Sequence, residues 1–235
     1  MTPDTHTHVL QICRTCGGGA TVDAHFCPQC SKILTLGRQG DYFAFLGLPR
    51  KLTIDVAEIE QRFRALSRQF HPDYFYNASL AERRASLERS SYLNDAYRTL
   101  KNPIARTAYL LELEGVLKPS DHENAKQVPP ALLEEVFALN EELDEVRESR
   151  ASGAPDDVWQ ARLQRAAAPI EQKRADHERL LRELAERWDA LGEGDAAARA
   201  EVLTALRDRV LERNYITNLL ATIEREAAGE GGPRL

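Results

Sequence analysis

Cysteine is missing from most of this 235-residue chain, because all four cysteines lie within the first 30 residues. No uninterrupted apolar stretch approaches the roughly 20 residues that a membrane-spanning helix needs. The first residues have neither the cationic start and apolar core of a signal peptide nor the arginine-rich pattern of a transit sequence. Alternating strand-like patterns are nearly absent. These absences predict a cytoplasmic protein with an all-α body and no membrane partner.

An excess of positive charge is also lacking, since the net charge is −6. Residues 41–115 contain 11 Lys and Arg against 10 Asp and Glu, a balance of +1, and residues 116–235 contain 17 against 25, a balance of −8. A nucleic-acid-binding surface is expected to be basic, so this distribution favours protein partners. A glycine-rich phosphate loop and a cluster of His, Asp and Ser are missing too. The sequence therefore predicts a binding and regulatory protein rather than an enzyme.

The cysteines form two Cys-x-x-Cys pairs that are ten residues apart, Cys13 with Cys16 and Cys27 with Cys30. Gly17 follows the first pair and tolerates the positive φ of a tight turn. Two such pairs supply the four thiolates of a closed tetrahedral Zn²⁺ site, which is structural rather than catalytic. A segment as short as residues 1–38 needs this metal, because it cannot build a stable core alone.

Other interpretations of the cysteines stay open. Two disulfides are disfavoured in a cytosolic protein, and a thioredoxin-like redox pair lacks its βαβ context. Iron could replace zinc between the four thiolates. His25 lies between the two pairs and could be a substitute ligand.

The tripeptide His71-Pro72-Asp73 follows an amphipathic basic segment. Apolar residues at spacings of four, three and four predict a helix over residues 54–70, namely Ile59, Phe63, Leu66 and Phe70. Its other faces carry Arg62, Arg64 and Arg68. Pro72 disfavours helical geometry at the residue before it. The helix should therefore end near Phe70 and leave the tripeptide on a tight exposed loop.

Helical patterns flank this loop on both sides. Residues 41–49 predict a short helix closed by Gly-x-Pro, and a long helix is predicted from about residue 78 to residue 100. Asn102 should cap a further helix that starts at Pro103. A helical hairpin with the short helix packed across it follows.

This order of parts, over residue 41 to about residue 113, resembles a J domain of the DnaJ class. The resemblance implies a cochaperone that stimulates ATP hydrolysis by a heat-shock-type ATPase chaperone. His71, Pro72 and Asp73 would be the essential contact, and the three arginines of the basic helix would support it.

The acidic half predicts an antiparallel three-helix bundle at residues 131–228, after a linker at 116–130 and before a flexible tail at 229–235. Its helices are predicted over residues 131–148, from about 158 to 188, and from 195 to about 226, and Pro169 should kink or restart the second one. The first helix has one complete apolar face, made by Leu132, Val136, Leu139, Leu143 and Val146. Leu133 and Phe137 would lie to one side of that face. Beside Glu134 and Glu141, they can form a docking patch.

A four-cysteine module, a J domain at 39–115 and an acidic bundle, in that order, resemble the HscB family of iron–sulfur cluster cochaperones. The supporting motifs are Asp-Tyr-Phe at 41–43, the arginine-rich run before His71, Asn-Asp-Ala-Tyr at 94–97 and Leu-Lys-Asn-Pro from residue 100. The resemblance implies that the bundle binds the iron–sulfur scaffold protein and presents it to a specialised ATPase chaperone.

In that family the scaffold patch begins with Leu-Met-Glu on the first bundle helix. Leu133, Phe137 and Glu141 match the pattern, whereas Glu134 stands at the methionine position and Ala138 at a usual acidic position. The alternative function is a general J-domain cochaperone that delivers unfolded clients, although its usual Gly/Phe-rich linker and β-rich client domain are missing. A zinc ribbon that contacts nucleic acid is a third interpretation, against which the acidic body argues.

Overall fold

The computed structural model describes residues 10–36, 41–118, 132–192 and 194–228. The chain folds into two compact units, Met1–Arg106 and Thr107–Leu235. Most of the predicted linker at 116–130, and the whole tail at 229–235, lie outside the described residues. Within the described part, no helix combines the length and the apolar character that crossing a bilayer requires.

The cysteine segment contains a small antiparallel hairpin in which β1 (Leu10–Ile12) pairs with β2 (Gly19–Thr21). In the second half of the cysteine segment, a single antiparallel bridge joins Phe26 to Ile33. The sequence patterns did not reveal these strands, because three residues are too few to show an alternation of apolar and polar side chains.

The next part of the first unit has the predicted helical hairpin with a short helix in contact with it. The short helix is α1 (Tyr42–Leu46), and the hairpin consists of α2 (Val56–Phe70) and α3 (Leu80–Lys101). Asp41 caps α1, and Gly47 ends it with a φ of 65°. The rings of Phe63 and Tyr97 stack across the hairpin with centroids 4.2 Å apart.

Helix α3 begins two residues later than predicted, because Ser79 and Glu82 form a reciprocal capping box at its start. Its buried face carries Ala85, Ser86, Arg89, Leu93, Ala96 and Leu100. The next helix is α4 (Pro103–Leu113). The side-chain oxygen of Asn102 accepts the amides of Ile104 and Ala105, at 2.9 and 3.2 Å, which confirms the predicted cap.

The second unit contains the predicted three bundle helices, α5 (Leu133–Ala151), α6 (Asp156–Ala190) and α7 (Ala196–Ala227). Their core includes Leu132, Val136, Leu139, Leu143, Val146, Trp159, Leu163, Ile170, Ile216, Leu219 and Ile223. Near one end of the bundle the buried Glu226 accepts hydrogen bonds from the guanidinium of Arg147, at 2.9 and 3.1 Å. The prediction of an all-α fold with a small cysteine module is confirmed.

The prediction that the helix restarts at Pro169 is wrong, since α6 runs without interruption from Asp156 to Ala190. Proline removes one amide donor and crowds the preceding turn, at a cost of about 3 kcal/mol in a helix interior. Buried residues on both sides of it, such as Leu163 and Ile170, pack into the same core. Their burial, at about 1.5–3 kcal/mol for each large apolar side chain, offsets that cost.

Candidate functional site

The four cysteine sulfurs lie together in the first unit. Every pair among them is within 4.8 Å, and the Cys13–Cys30 and Cys16–Cys27 sulfurs are each 3.7 Å apart. A tetrahedral ion with metal–sulfur bonds of about 2.3 Å places its ligand sulfurs about 3.8 Å apart. All four cysteines are free. The residues therefore fit a single four-coordinate metal ion.

Each cysteine pair is held by a turn of the same design. The amide of Gly17 donates to the carbonyl of Cys13 at 2.9 Å, and the amide of Ser31 donates to the carbonyl of Cys27, also at 2.9 Å. Both donors have a positive φ, 74° at Gly17 and 56° at Ser31. The positive φ predicted for Gly17 is thus confirmed, while Ser31 takes the same conformation without being a glycine.

These turns direct backbone amides at the sulfurs. The amides of Cys16 and Thr15 lower the pKa of Cys13 to about 6. The amides of Cys30 and Gln29 likewise lower the pKa of Cys27. Metal binding requires thiolates rather than thiols, so the backbone favours the metal-binding form of Cys13 and Cys27. Burial and the neighbouring sulfurs raise the pKa of Cys16 and Cys30.

His25 lies outside the cluster of metal-binding atoms. Its ring packs edge-on against Phe45 and Phe70, with centroids 4.8 and 5.0 Å away. Burial, followed by the charge of Arg89, lowers the pKa of His25 to about 4. The suggestion that His25 substitutes for a cysteine ligand is therefore wrong, since its ring lies outside the sulfur cluster and packs against Phe45 and Phe70.

The His71-Pro72-Asp73 tripeptide stands at the end of the basic helix, as predicted. Helix α2 ends at Phe70, and residues Pro72–Phe75 form one turn of 3₁₀ helix. The Nδ1 atom of His71 accepts the amide of Asp73 at 3.4 Å. The Asp73 side chain is 86% exposed. The turn therefore directs a carboxylate into solvent from a backbone that Pro72 stiffens.

The arginines of α2 are all exposed. Arg62 pairs with Glu58 at 3.6 Å and Arg64 with Glu60 at 3.1 Å, each one helical turn away. Exposed pairs of this kind are worth well under 1 kcal/mol. The arginines can therefore exchange these partners for the carboxylates of another protein at little cost.

The predicted docking residues of the bundle lie at its surface. Phe137 is 66% exposed and Leu133 is 40% exposed, whereas the apolar face beside them is buried, as predicted. Glu141 is exposed as well. A groove of about 430 Å³ runs between α5 and α6, and Glu134 and Ala138 line it. The two positions that depart from the family pattern thus lie on this groove.

Sequence reasoning missed Arg89, which is only 1% exposed. Its Nε donates to the carbonyl of Leu34 at 2.7 Å. One signal was present, because Arg89 lies four residues before Leu93 and seven before Ala96, on the apolar face of α3. Arginine at such a position is buried only when partners satisfy its donors.

Comparisons with known proteins agree with this architecture. Residues 41–109 match the DnaJ domain family model. The chain is 34% identical over 155 residues to the human iron-sulfur cluster co-chaperone protein HscB, and the match covers 64% of this chain and 64% of that protein. The matched region thus spans just under two thirds of the relative.

Solved structures are similar over a greater length. The crystal structure of human co-chaperone protein HscB superposes with a TM-score of 0.68 at 25% identity, covering 92% of this chain and 98% of that one. Chaperone HscB from Vibrio cholerae gives a TM-score of 0.57 at 28% identity, covering 81% of this chain and 99% of that one. The predicted resemblance is confirmed: the chain contains a J domain, and it is similar in sequence and in fold to HscB proteins.

Proposed function

We propose that this protein is a cochaperone in iron–sulfur cluster biogenesis. Its J domain stimulates the ATPase of a heat-shock-type chaperone, while its bundle binds the iron–sulfur scaffold protein and delivers it to that chaperone. The observation that carries the proposal is the exposed His71-Pro72-Asp73 turn at the end of a basic helix, within a fold of the HscB type. The protein has the role of an activator, and the ATP is hydrolysed by its partner.

Charge explains how the J domain would engage the chaperone. The three exposed arginines, Arg62, Arg64 and Arg68, attract an acidic surface and orient the approach. The ionised carboxylate of Asp73 can accept hydrogen bonds but cannot donate them, and it then meets a donor of the chaperone. Because Pro72 restricts the turn, little conformational freedom is lost on binding.

The bundle would bind the scaffold through the patch of Leu133, Phe137 and Glu141. Exposed apolar side chains such as Phe137 (66%) can supply binding energy once a partner covers them. The nearby Glu141 would select a partner that offers a cation. Glu134, in place of the family's methionine, extends the acidic character of this surface toward the groove between α5 and α6.

The four cysteines would hold Zn²⁺ as a structural ion. Four thiolates leave no open coordination position, and zinc prefers this tetrahedral arrangement. Iron is the competing metal, and a visible absorption band from purified protein would reveal it. A site of four thiolates needs reduced cysteines, which a reducing compartment maintains, and this supports the cytoplasm as the place where the protein works.

The chaperone function is tested with Asp73→Asn. This change removes the exposed carboxylate without altering side-chain size, so ATPase stimulation should be abolished while stability stays within about 0.5 kcal/mol. The control is Asp95→Asn, which removes another exposed carboxylate of the J domain, paired with Arg98. Single-turnover ATPase rates and thermal unfolding give the two readouts. Normal stimulation by Asp73→Asn would contradict the proposal.

Delivery of the scaffold is tested by retention on the immobilised full chain. We expect the iron–sulfur scaffold protein to be retained and a mixture of chemically unfolded proteins to pass through. Retention of the unfolded mixture, without the scaffold, would favour a general J-domain cochaperone.

A further inference from the structure

Arg89 joins helix α3 to the four-cysteine segment. Its Nε donates to the carbonyl of Leu34 at 2.7 Å, and its Nη2 donates to the carbonyls of Ala24 and Thr35 at 3.2 and 3.3 Å. Its Nη1 lies 2.8 Å from Nδ1 of His25, and because a guanidinium can only donate, that nitrogen is the acceptor. All four partners belong to the cysteine segment. Burial lowers the pKa of Arg89 to about 10, so the group stays charged at neutral pH.

The same guanidinium reaches the end of the basic helix. Its Cζ lies 5.9 Å from the ring centroid of Phe45 and 5.7 Å from that of Phe70. Phe70 is the last residue of α2, directly before His71. Its carbonyl accepts the hydroxyls of Ser86 and Ser90 from α3, at 2.6 and 3.0 Å. Arg89 therefore packs between the cysteine segment and the residue from which the exposed turn starts.

A second polar contact joins the same two parts. Lys32, two residues after Cys30, pairs with Glu82 in the first turn of α3 at 2.9 Å. Glu82 also accepts the hydroxyl of Ser79 at 2.8 Å and so belongs to the capping box of α3. Lys32 is the more exposed partner of this pair, so the contact contributes less than the buried guanidinium does.

The partners of Arg89 depend on the cysteine cluster for their positions. The buried apolar residues of the segment are few, namely Cys13, Ala20, Cys27, Ile33 and Leu34. Two of these are proposed metal ligands, so little apolar packing remains when the metal is removed. Small metal-bound segments of this kind generally lose their fold without the ion. The carbonyls that Arg89 requires would then disperse and leave a buried charge without acceptors, which is strongly unfavourable.

We propose that Arg89 couples metal binding at the four cysteines to the conformation of the His71-Pro72-Asp73 turn, so that the metal-bound state is the one competent to stimulate the partner ATPase. The inference deepens the proposed function, and its last clause rests on that function. Coupling between two sites is reciprocal. The factor by which metal binding favours the ordered turn is therefore the factor by which the ordered turn strengthens metal affinity.

The first experiment measures zinc affinity in the full chain by competition with a chromophoric chelator. Arg89→Met keeps the volume and removes the charge and the donors, while Arg89→Lys keeps only the charge. The control is Arg84→Met, an exposed position on the same helix. We expect Arg89→Met to weaken zinc binding about tenfold or more, since one charge-assisted hydrogen bond is worth about that factor. The zinc affinity of Arg89→Lys should lie between those of the wild type and Arg89→Met. The zinc affinity of the control should change less than twofold.

The second experiment needs no variant, so it remains decisive even if Arg89→Met fails to fold. Amide hydrogen exchange of the wild-type chain is followed with bound zinc and after its removal by a chelator. We expect removal to accelerate exchange at the amides of Phe70, Asp73, Tyr74 and Phe75, while the amides in the middle of α3 keep their protection. Unchanged exchange at these positions would overturn the coupling. So would an unchanged zinc affinity in a folded Arg89→Met protein.

ATPase stimulation then separates this inference from the proposed function. If the zinc-bound chain stimulates the chaperone and Asp73→Asn does not, the proposed function stands. Full stimulation by the metal-free chain would then refute the role of the metal. If the zinc-bound chain does not stimulate at all, the proposed function fails, and the affinity and exchange measurements still decide whether Arg89 couples the two sites.

Discussion

Phe137→Ala offers the sharpest test of scaffold binding, because Phe137 is 66% exposed on the first bundle helix. A phenylalanine side chain presents about 200 Å², so roughly a third of it, about 70 Å², is covered in the folded chain. At about 25 cal/mol per Å² the covered part contributes at most about 2 kcal/mol. Because denatured chains also cover roughly 10–40% of this area, the expected loss of stability is about 1–1.5 kcal/mol.

The matched control is Leu143→Ala on the same helix. Leu143 is 2% exposed within the bundle core, and truncation of such a residue costs about 2–5 kcal/mol. Denaturant unfolding should therefore separate the two variants clearly. Titration against the iron–sulfur scaffold should do the reverse: Phe137→Ala should bind about thirtyfold more weakly, which corresponds to about 2 kcal/mol, and Leu143→Ala should bind normally while folded.

Leu133 is 40% exposed, so Leu133→Ala should also weaken scaffold binding, but less than Phe137→Ala does. Glu141→Lys should weaken the complex further if the scaffold offers a cation there, and this loss should shrink as salt is added. A large loss of stability in Phe137→Ala together with unchanged scaffold affinity would refute the docking patch.

Three further outcomes are expected. Metal analysis should give about one zinc per chain, and acidification should release it because protons compete for the thiolates; cysteines paired as disulfides in freshly prepared protein would contradict the site. Burial lowers the pKa of His177, whose Nε2 donates to the carbonyl of Arg209 at 2.6 Å. Its buried Nδ1 finds no hydrogen-bond partner among the residues that the structure describes. The unfolded chain therefore binds a proton first as pH falls through about 6.5, and stability should decrease below that pH in the wild type but less so in His177→Gln, as urea titrations at pH 7.5 and 5.5 would show. The charged groups that act on this ring are Glu212, Arg209 and Arg213, and equal pH dependence in both proteins would exclude His177 as the cause. Glu226→Ala removes a buried carboxylate that accepts two hydrogen bonds from Arg147 and should cost about 1.5–3 kcal/mol in thermal unfolding; a loss below about 0.5 kcal/mol would show that water replaces the pair.

Local patterns were sufficient for the helices and for the exposed turn. Helix α2 ends at Phe70 because Pro72 acts on the residue before it, and the apolar face that includes Val136 and Leu139 follows directly from the helical period. The four cysteines were recognisable because their spacing is a local property as well. In each case the decisive interaction joins residues close together in the chain, so the sequence alone determined it.

Tertiary structure decided the features that depend on distant residues. Helix α6 continues through Pro169 because the core packing on both sides offsets the free-energy cost of a proline in a helix interior. Rules that use only the neighbouring residues include this cost but not the packing. The strand pairing of Leu10 with Thr21 joins segments 11 residues apart, each too short to show a strand pattern by itself. Arg89 meets the carbonyl of Leu34, 55 residues earlier in the chain. A buried charge is tolerated only where distant acceptors converge on it, and that convergence exists only in the folded chain.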